Sequence, residues 1–285
     1  MNRRTIAAGV ATALAAGATS LAAAAAGPAP PVMQGPPGIQ VAGGAHVVTT
    51  ARANGTTLVQ LVRDRDGKVT RSRVIRGKLG VPVVTVSGLA EGTFASGKRL
   101  VLASSIYDNA GVTRFVTLDT RTLAPLRTIQ LSGAFAFDAL SPNGRRLFVT
   151  QFPHGLDGPI RYDVRSLNLT TGRLDPGTIV DKTEPDEVMA GIAMGRGWSL
   201  DRSWAYTLYN GLDSHAFVHA LDTKNRQARC LDLPWRGAQQ NGLEQVRLAV
   251  DRAGMLTLTQ PGVGLLARID THSFRVDVLR DPVAP

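Results

Sequence analysis

The residues of this chain best suited to chemistry sit in short polar segments spread along its length: Tyr107-Asp108-Asn109, Phe152-Pro153-His154-Gly155-Leu156-Asp157, Glu184-Pro185-Asp186-Glu187, Asn210-Gly211-Leu212-Asp213 and Gln239-Gln240-Asn241-Gly242. Carboxylate and amide oxygens dominate them. That donor set suits a hard cation such as calcium, or the hydroxyls of a sugar. The candidate ligand-binding residues are therefore Asp108, Asn109, His154, Asp157, Glu184, Asp186, Glu187, Asn210, Asp213, Gln240 and Asn241. Asp, Asn and Gly also dominate ordinary solvated turns, so composition alone does not make these segments a site.

Reaction signatures are sparse, and no residue is assigned a catalytic role. Gly197-Trp198-Ser199-Leu200-Asp201 begins like a nucleophile elbow but lacks the closing glycine. The sequence has no phosphate-binding loop, His-Glu-x-x-His or EF-hand loop. His215 and His219 share one side of a strand, since residues four apart do, but two histidines are a weak metal signal and no metal ligand set is assigned. Cys230 is the single cysteine, which excludes an intrachain disulfide and a thiolate cluster. Calcium is the one cofactor the oxygen-rich segments admit; none is required.

The elements that position these segments are strands. From Val41 onward, runs rich in Val, Leu, Thr, Phe and Tyr alternate with Gly, Asp, Asn and Ser clusters, and no segment sustains a helical apolar period for three turns. The runs repeat. Ser141-Pro142-Asn143-Gly144 is a tight turn followed by the strand Arg145 to Gln151; related turns precede Leu100-Val101-Leu102 and Leu256-Thr257-Leu258, with a degenerate copy at Leu200 to Ser203. A second mark recurs as Leu118-Asp119-Thr120, Leu167-Asn168-Leu169, Leu221-Asp222-Thr223 and Ile269-Asp270-Thr271, at spacings of 49, 54 and 48 residues. Ala45 to Ile75 supplies a fifth unit, with Asp64-Arg65-Asp66-Gly67 as its last turn and Gly38 to Ala42 as the only segment available for its innermost strand.

Four strands per unit at a period near fifty describe propeller blades, so the fold class is all-β: a β-propeller of five four-stranded blades. A β-sandwich would also show short strands, but it would not repeat the paired turn marks. The unit from Phe135 to Val180, with Ser-Pro-Asn-Gly-Arg-Arg-Leu-Phe-Val-Thr followed by Thr-Thr-Gly, resembles the blade of lactonase-like and YVTN-type propellers. The units at Gly97 and Gly254 resemble it less closely, and the first and fourth weakly. What the resemblance implies is blade architecture; lactonase catalytic or metal residues do not map onto this chain. In a propeller the polar segments above emerge together, on the face opposite the Gly97, Gly144 and Gly254 turns, at the mouth of a central channel.

Arg3 and Arg4 precede an Ala-rich uncharged stretch to Ala26, the layout of a signal peptide cleaved after Ala26; the arginine pair leaves ordinary or twin-arginine export open. Residues 1–26 are thus a leader, 27–38 a mobile Pro/Gly-rich linker and 39–285 the propeller. The net charge is +10, or +8 once the two leader arginines are removed. That field favours anionic wall polymers or lipid headgroups, and the partners expected are an anionic wall polymer, a glycan or another envelope protein; export disfavours nucleic acid. The basic run Arg63, Arg65, Lys68, Arg71, Arg73, Arg76 and Lys78 is either a docking stripe or, as favoured here, protection of an exposed outer strand. The reading is an exported, non-catalytic binding module, secreted or held in the envelope, with a lactonase-like hydrolase as the alternative.

Overall fold

The computed structural model describes residues 32–107, 111–155, 161–186, 188–211, 215–235 and 240–284. Within them the chain forms five antiparallel sheets in sequence order. Blade 1 holds β1 (Ile39–Val41), β2 (Ala45–Ala51), β3 (Thr56–Arg63) and β4 (Val69–Arg76). Blade 2 holds β5 (Arg99–Ala103), β6 (Val112–Asp119) and β7 (Pro125–Ser132). Blade 3 holds β8 (Ala134–Leu140), β9 (Arg146–Phe152), β10 (Asp163–Asn168) and β11 (Arg173–Leu174). Blade 4 holds β12 (Ile192–Trp198), β13 (Trp204–Asn210), β14 (Ala216–Asp222) and β15 (Gln227–Leu233). A single helical turn, α1 (Gln240–Leu243), leads to blade 5: β16 (Arg247–Val250), β17 (Met255–Gln260), β18 (Gly264–Asp270) and β19 (Val276–Val278).

Each blade is built from consecutive strands, as expected of a five-bladed propeller. Blade 1 does take its innermost strand from Ile39–Val41, in register with Val47 to Ala45. Blade 2 departs from four regular strands: its inner position is reduced to a bridge between Thr93 and Leu100, flanked by Val101 N–H donating to Gly92 O at 2.9 Å and Phe94 N–H donating to Arg99 O at 3.0 Å. The reason lies just upstream, where residues 82–91 turn back as a hairpin, with Val84 N–H on Leu89 O, and cross the axis. There Val86 N–H donates to Ala193 O of β12 at 2.9 Å.

The repeated turn marks have a common physical cause. Where the third strand ends, the Asp or Asn side chain folds back as an Asx turn: Asp119 accepts from Thr122 N, Asn168 from Thr170 N and Thr171 N, Asp222 from Lys224 N and Asn225 N, and Asp270 from His272 N and Ser273 N. The Thr122 hydroxyl and then its amide hold Asp119 below the usual carboxylate range, as the Ser273 and His272 amides do Asp270. The following threonine then ties this turn to the one between the first two strands, as Thr120 Oγ1 donates to Gly97 O, Thr223 to Ser203 O and Thr271 to Gly254 O. The first-to-second and third-to-fourth strand turns of a blade therefore meet at one end of its sheet. They form what we call the turn face; the longer connections form the opposite, loop face.

The turn between the first two strands demands a left-handed residue. Gly144 has φ of +63°, and a Cβ there would lie 2.6 Å from the Phe94 ring of blade 2. Gly144→Ala is expected to lower stability by roughly 1–3 kcal/mol, measured by urea unfolding, because both backbone strain and the clash are introduced. In blade 4 the same position is Arg202, at φ of 61°.

Four buried apolar clusters fill the gaps between blades 1 and 2, 2 and 3, 3 and 4, and 4 and 5. Among the described residues no such cluster joins blade 5 to blade 1, and no strand is exchanged between them. The cross-axis hairpin braces the ring from inside instead, with Val86 packed against the cluster of blades 4 and 5. The segment expected to be a mobile linker is docked over its described part, residues 32–38: Met33 pairs with Val81, Gly35 N–H donates to Thr49 O and Gln34 Nε2 to Leu79 O.

Candidate ligand-binding cleft

At the centre of the turn face lies a cleft of about 490 Å³. Its walls come from blade 1 (Ile39), the crossing hairpin (Leu89), blade 3 (Phe137 and Leu140) and blade 4 (Trp198 and Arg202). The strand β12 explains the blade 4 wall. Gly195 and Gly197 abut β16, where a Cβ on Gly197 would meet Leu248 at 2.9 Å, so these two positions must be small. Alternation then turns Arg196 and Trp198 to the other side of the strand, toward the axis.

Arg196 is the hub of the cleft floor. Its side chain is 1% exposed, and its guanidinium donates through Nη1 to Asp138 O at 2.6 Å and through Nη2 to the Asp138 carboxylate. A bulge between Phe137 and Ala139 aims Asp138 out of the ladder of β8. Glu91, carried by the hairpin, places Oε2 3.6 Å from Arg196 Nη1 and accepts from Trp198 Nε1 at 2.7 Å. Burial pushes the Glu91 carboxyl up, opposed by Arg196 and the Trp198 bond. Burial also works against the Arg196 charge, but Asp138 and Glu91 more than offset it and the guanidinium stays ionised. Above this floor Arg202 stacks on the Trp198 ring, 4.2 Å from its centroid. The charges of the floor are thus committed to one another, and what faces the cleft is aromatic and aliphatic surface with an arginine at its edge.

The candidate residues of the polar segments are placed on the loop face or beyond the described residues. Asp108, Asn109, Asp157, Glu187 and Asp213 lie outside the described residues. His154 and Asp186 are brought together, lining a cavity of about 360 Å³ beside Arg161, Tyr162 and Met189. That cavity sits off the axis, where Asp181 binds the connection into blade 4 onto β15 by accepting from Cys230 N at 2.9 Å and Arg229 Nη1 at 3.1 Å. Glu184 is exposed in the same connection, and Asn210 ends β13; neither lines that cavity or the cleft. Gln240 and Asn241 open α1.

The two histidines part company. His215 is half exposed and pairs with Asp232 at 2.9 Å, whereas His219 is fully buried in β14. No group of three or more His, Cys, Asp or Glu among the described residues is placed to hold a metal ion. The basic run passes along β4, the outermost strand of blade 1, where Arg71, Arg73 and Arg76 are exposed, and reaches Lys78 just beyond it.

Sequence reasoning missed the cleft, although two signals were present. Asp138 is a carboxylate inside the apolar run Ala134 to Leu140, and Arg196 lies between two glycines in another strand. A charge at such a position must find a buried partner, which neither segment could identify alone.

No known protein family matches the chain, and no curated protein does. Solved structures to which the chain is similar include the Dos1 propeller, at 10% identity and a TM-score of 0.46, covering 83% of this chain and 54% of that one. TolB from Acinetobacter baumannii follows at 14% identity and a TM-score of 0.38, with 82% and 57% covered. A Mycobacterium tuberculosis puromycin-hydrolyzing peptidase matches at 16% identity and a TM-score of 0.40, with 86% and 39% covered. The chain spans about half the length of the first two.

Proposed function

We propose that the protein is an exported, non-catalytic propeller module of the cell envelope or extracellular space, and that its ligand enters the turn-face cleft. The observation that carries this reading is the division of labour in the cleft: Arg196 is held by Asp138 and Glu91, while Arg202, stacked on Trp198 at the edge, is the cation left facing the cleft. Such a site recognises by contact and stacking. A sugar ring bearing an acidic substituent matches it, since the acid draws the Arg202 guanidinium off Trp198 and the sugar ring takes its place on the indole. The Ala-rich leader and the basic charge support an exported protein with anionic partners.

Calorimetry of the mature protein against neutral and acidic glycans tests it. Trp198→Ala is expected to weaken binding of an acidic glycan about tenfold to a hundredfold, and Arg202→Gln to weaken it while reducing the preference for acid over neutral sugar. A glycan that binds wild type and both variants equally well does not occupy this cleft, and the assignment fails.

A further inference from the structure

The turns of the turn face carry a basic residue in nearly every blade. Between the first and second strands, or at the first residue after that turn, stand Arg99, Arg145, Arg202 and Arg252, one in each of blades 2 to 5. Between the third and fourth strands, or at the first residue after that turn, stand Arg65, Arg121, Arg173, Lys224 and Arg275, one in each of the five blades. All are exposed, and none makes an ion pair with a carboxylate among the described residues. Asp119, Asp201, Asp222 and Asp270 on this face are drawn inward onto backbone amides, and in blade 1 Asp64 and Asp66 are taken by His46 and Arg63. The longer basic side chains reach past them.

Apolar tips accompany the charge. Leu200, at the β12–β13 turn, is 67% exposed, more than any other large hydrophobic described. Leu126 and Val69 stand exposed where the outermost strands of blades 2 and 1 leave the same face, and Leu89 stands at the cleft mouth. A soluble polyanion is matched by charge alone and gains nothing from such tips. A bilayer with acidic headgroups uses both, the charges at the headgroup plane and the leucines just beneath it.

We propose that the turn face docks flat on an anionic lipid bilayer. This goes beyond ligand binding in the cleft, and because the cleft opens on the same face, a ligand held there is covered by the docked bilayer or belongs to its surface. The test is co-sedimentation of the mature protein with phosphatidylcholine vesicles, with and without one-third phosphatidylglycerol. Binding is expected only with the acidic lipid, and is expected to fade as salt rises from about 0.1 to about 1 M. Arg121, Arg145, Arg252 and Arg275 changed together to Gln, with Arg202 left in place so that the cleft is untouched, are expected to lower the partition coefficient roughly fivefold per charge. Leu200→Ser is expected to lower vesicle binding severalfold and leave binding to the soluble polyanion heparin unchanged. Arg52, Arg161, Arg247 and Arg280, away from this face, changed together to Gln serve as the matched control of four charges, and circular dichroism verifies folding of each variant. Equal losses in the control set would mean that net charge alone drives binding. Leu200→Ser without effect on vesicles would point to a soluble polyanion as the partner. Either result, or binding without preference for the acidic lipid, overturns the proposal.

Discussion

Arg196→Met is expected to lower the unfolding free energy by about 3–5 kcal/mol, among the largest effects of any single substitution in the chain. The substitution removes one charge and leaves two: Asp138, 6% exposed, and Glu91, 12% exposed, would face each other with no cation between them. An uncompensated buried charge costs far more than the intact pair is worth, because the Coulomb term is lost while the desolvation remains. Two further measurements isolate this cause from a simple packing defect. Adding Asp138→Asn and Glu91→Gln should recover part of the loss, since neutral amides need no counter-ion. Lowering the pH should also narrow the gap between variant and wild type. Without Arg196 the Glu91 carboxyl is pushed further up, so the folded state binds its proton more readily than the unfolded chain and gains stability as pH falls toward about 4.5. Urea unfolding at neutral and acid pH reads all three. A loss of under about 1 kcal/mol would mean that the cluster does not hold the floor together. The same variant should expose the hairpin at residues 82–91 to protease, because Glu91 is one of its anchors on blade 4.

His219 should dominate another response, the loss of stability in acid. Burial in β14 lowers its pKa from 6.5 to about 4, with the attraction of Asp138 only partly opposing that. The sign follows from which state binds the proton. As pH falls below about 6.5 the unfolded chain protonates this histidine while the folded protein does not. The stabilisation is therefore complete above about 6.5 and is lost progressively down to about 4, a change on the order of 3 kcal/mol. His219→Leu keeps an apolar side chain in the site and removes the titration. Between pH 7 and pH 4 the variant should lose on the order of 3 kcal/mol less than wild type in parallel urea titrations. Parallel curves for the two proteins would show that His219 protonates in the fold as freely as out of it. Carboxylates such as Asp119 and Asp270 contribute to acid loss in both proteins and cancel in the comparison.

Strand, turn and repeat were written locally and could be read directly. The Asx turns at Asp119, Asn168, Asp222 and Asp270 close over two or three residues, so their chemistry recurs as a visible pattern at the period of the blade. The same holds for the left-handed glycines at Gly97, Gly144 and Gly254, each in a turn between the first two strands. A five-fold repetition of such local rules leaves few alternatives to a propeller.

The cleft was decided elsewhere. Its polar floor joins Asp138 to Arg196 across 58 positions and Glu91 to Trp198 across 107. No periodicity links such residues; they meet only because the ring curves them toward one axis and because residues 82–91 leave blade 2 to cross it. The segment 32–38 shows the same limit from the other side: its prolines and glycines read as a free linker, yet backbone groups of blades 1 and 2 capture it. The sequence alone determined the strands, the turns and the number of blades, because each depends on neighbours a few residues apart. Tertiary structure alone decided which buried charges pair, which segment crosses the axis and which face gathers the arginines, because each depends on distances between blades that no local pattern encodes.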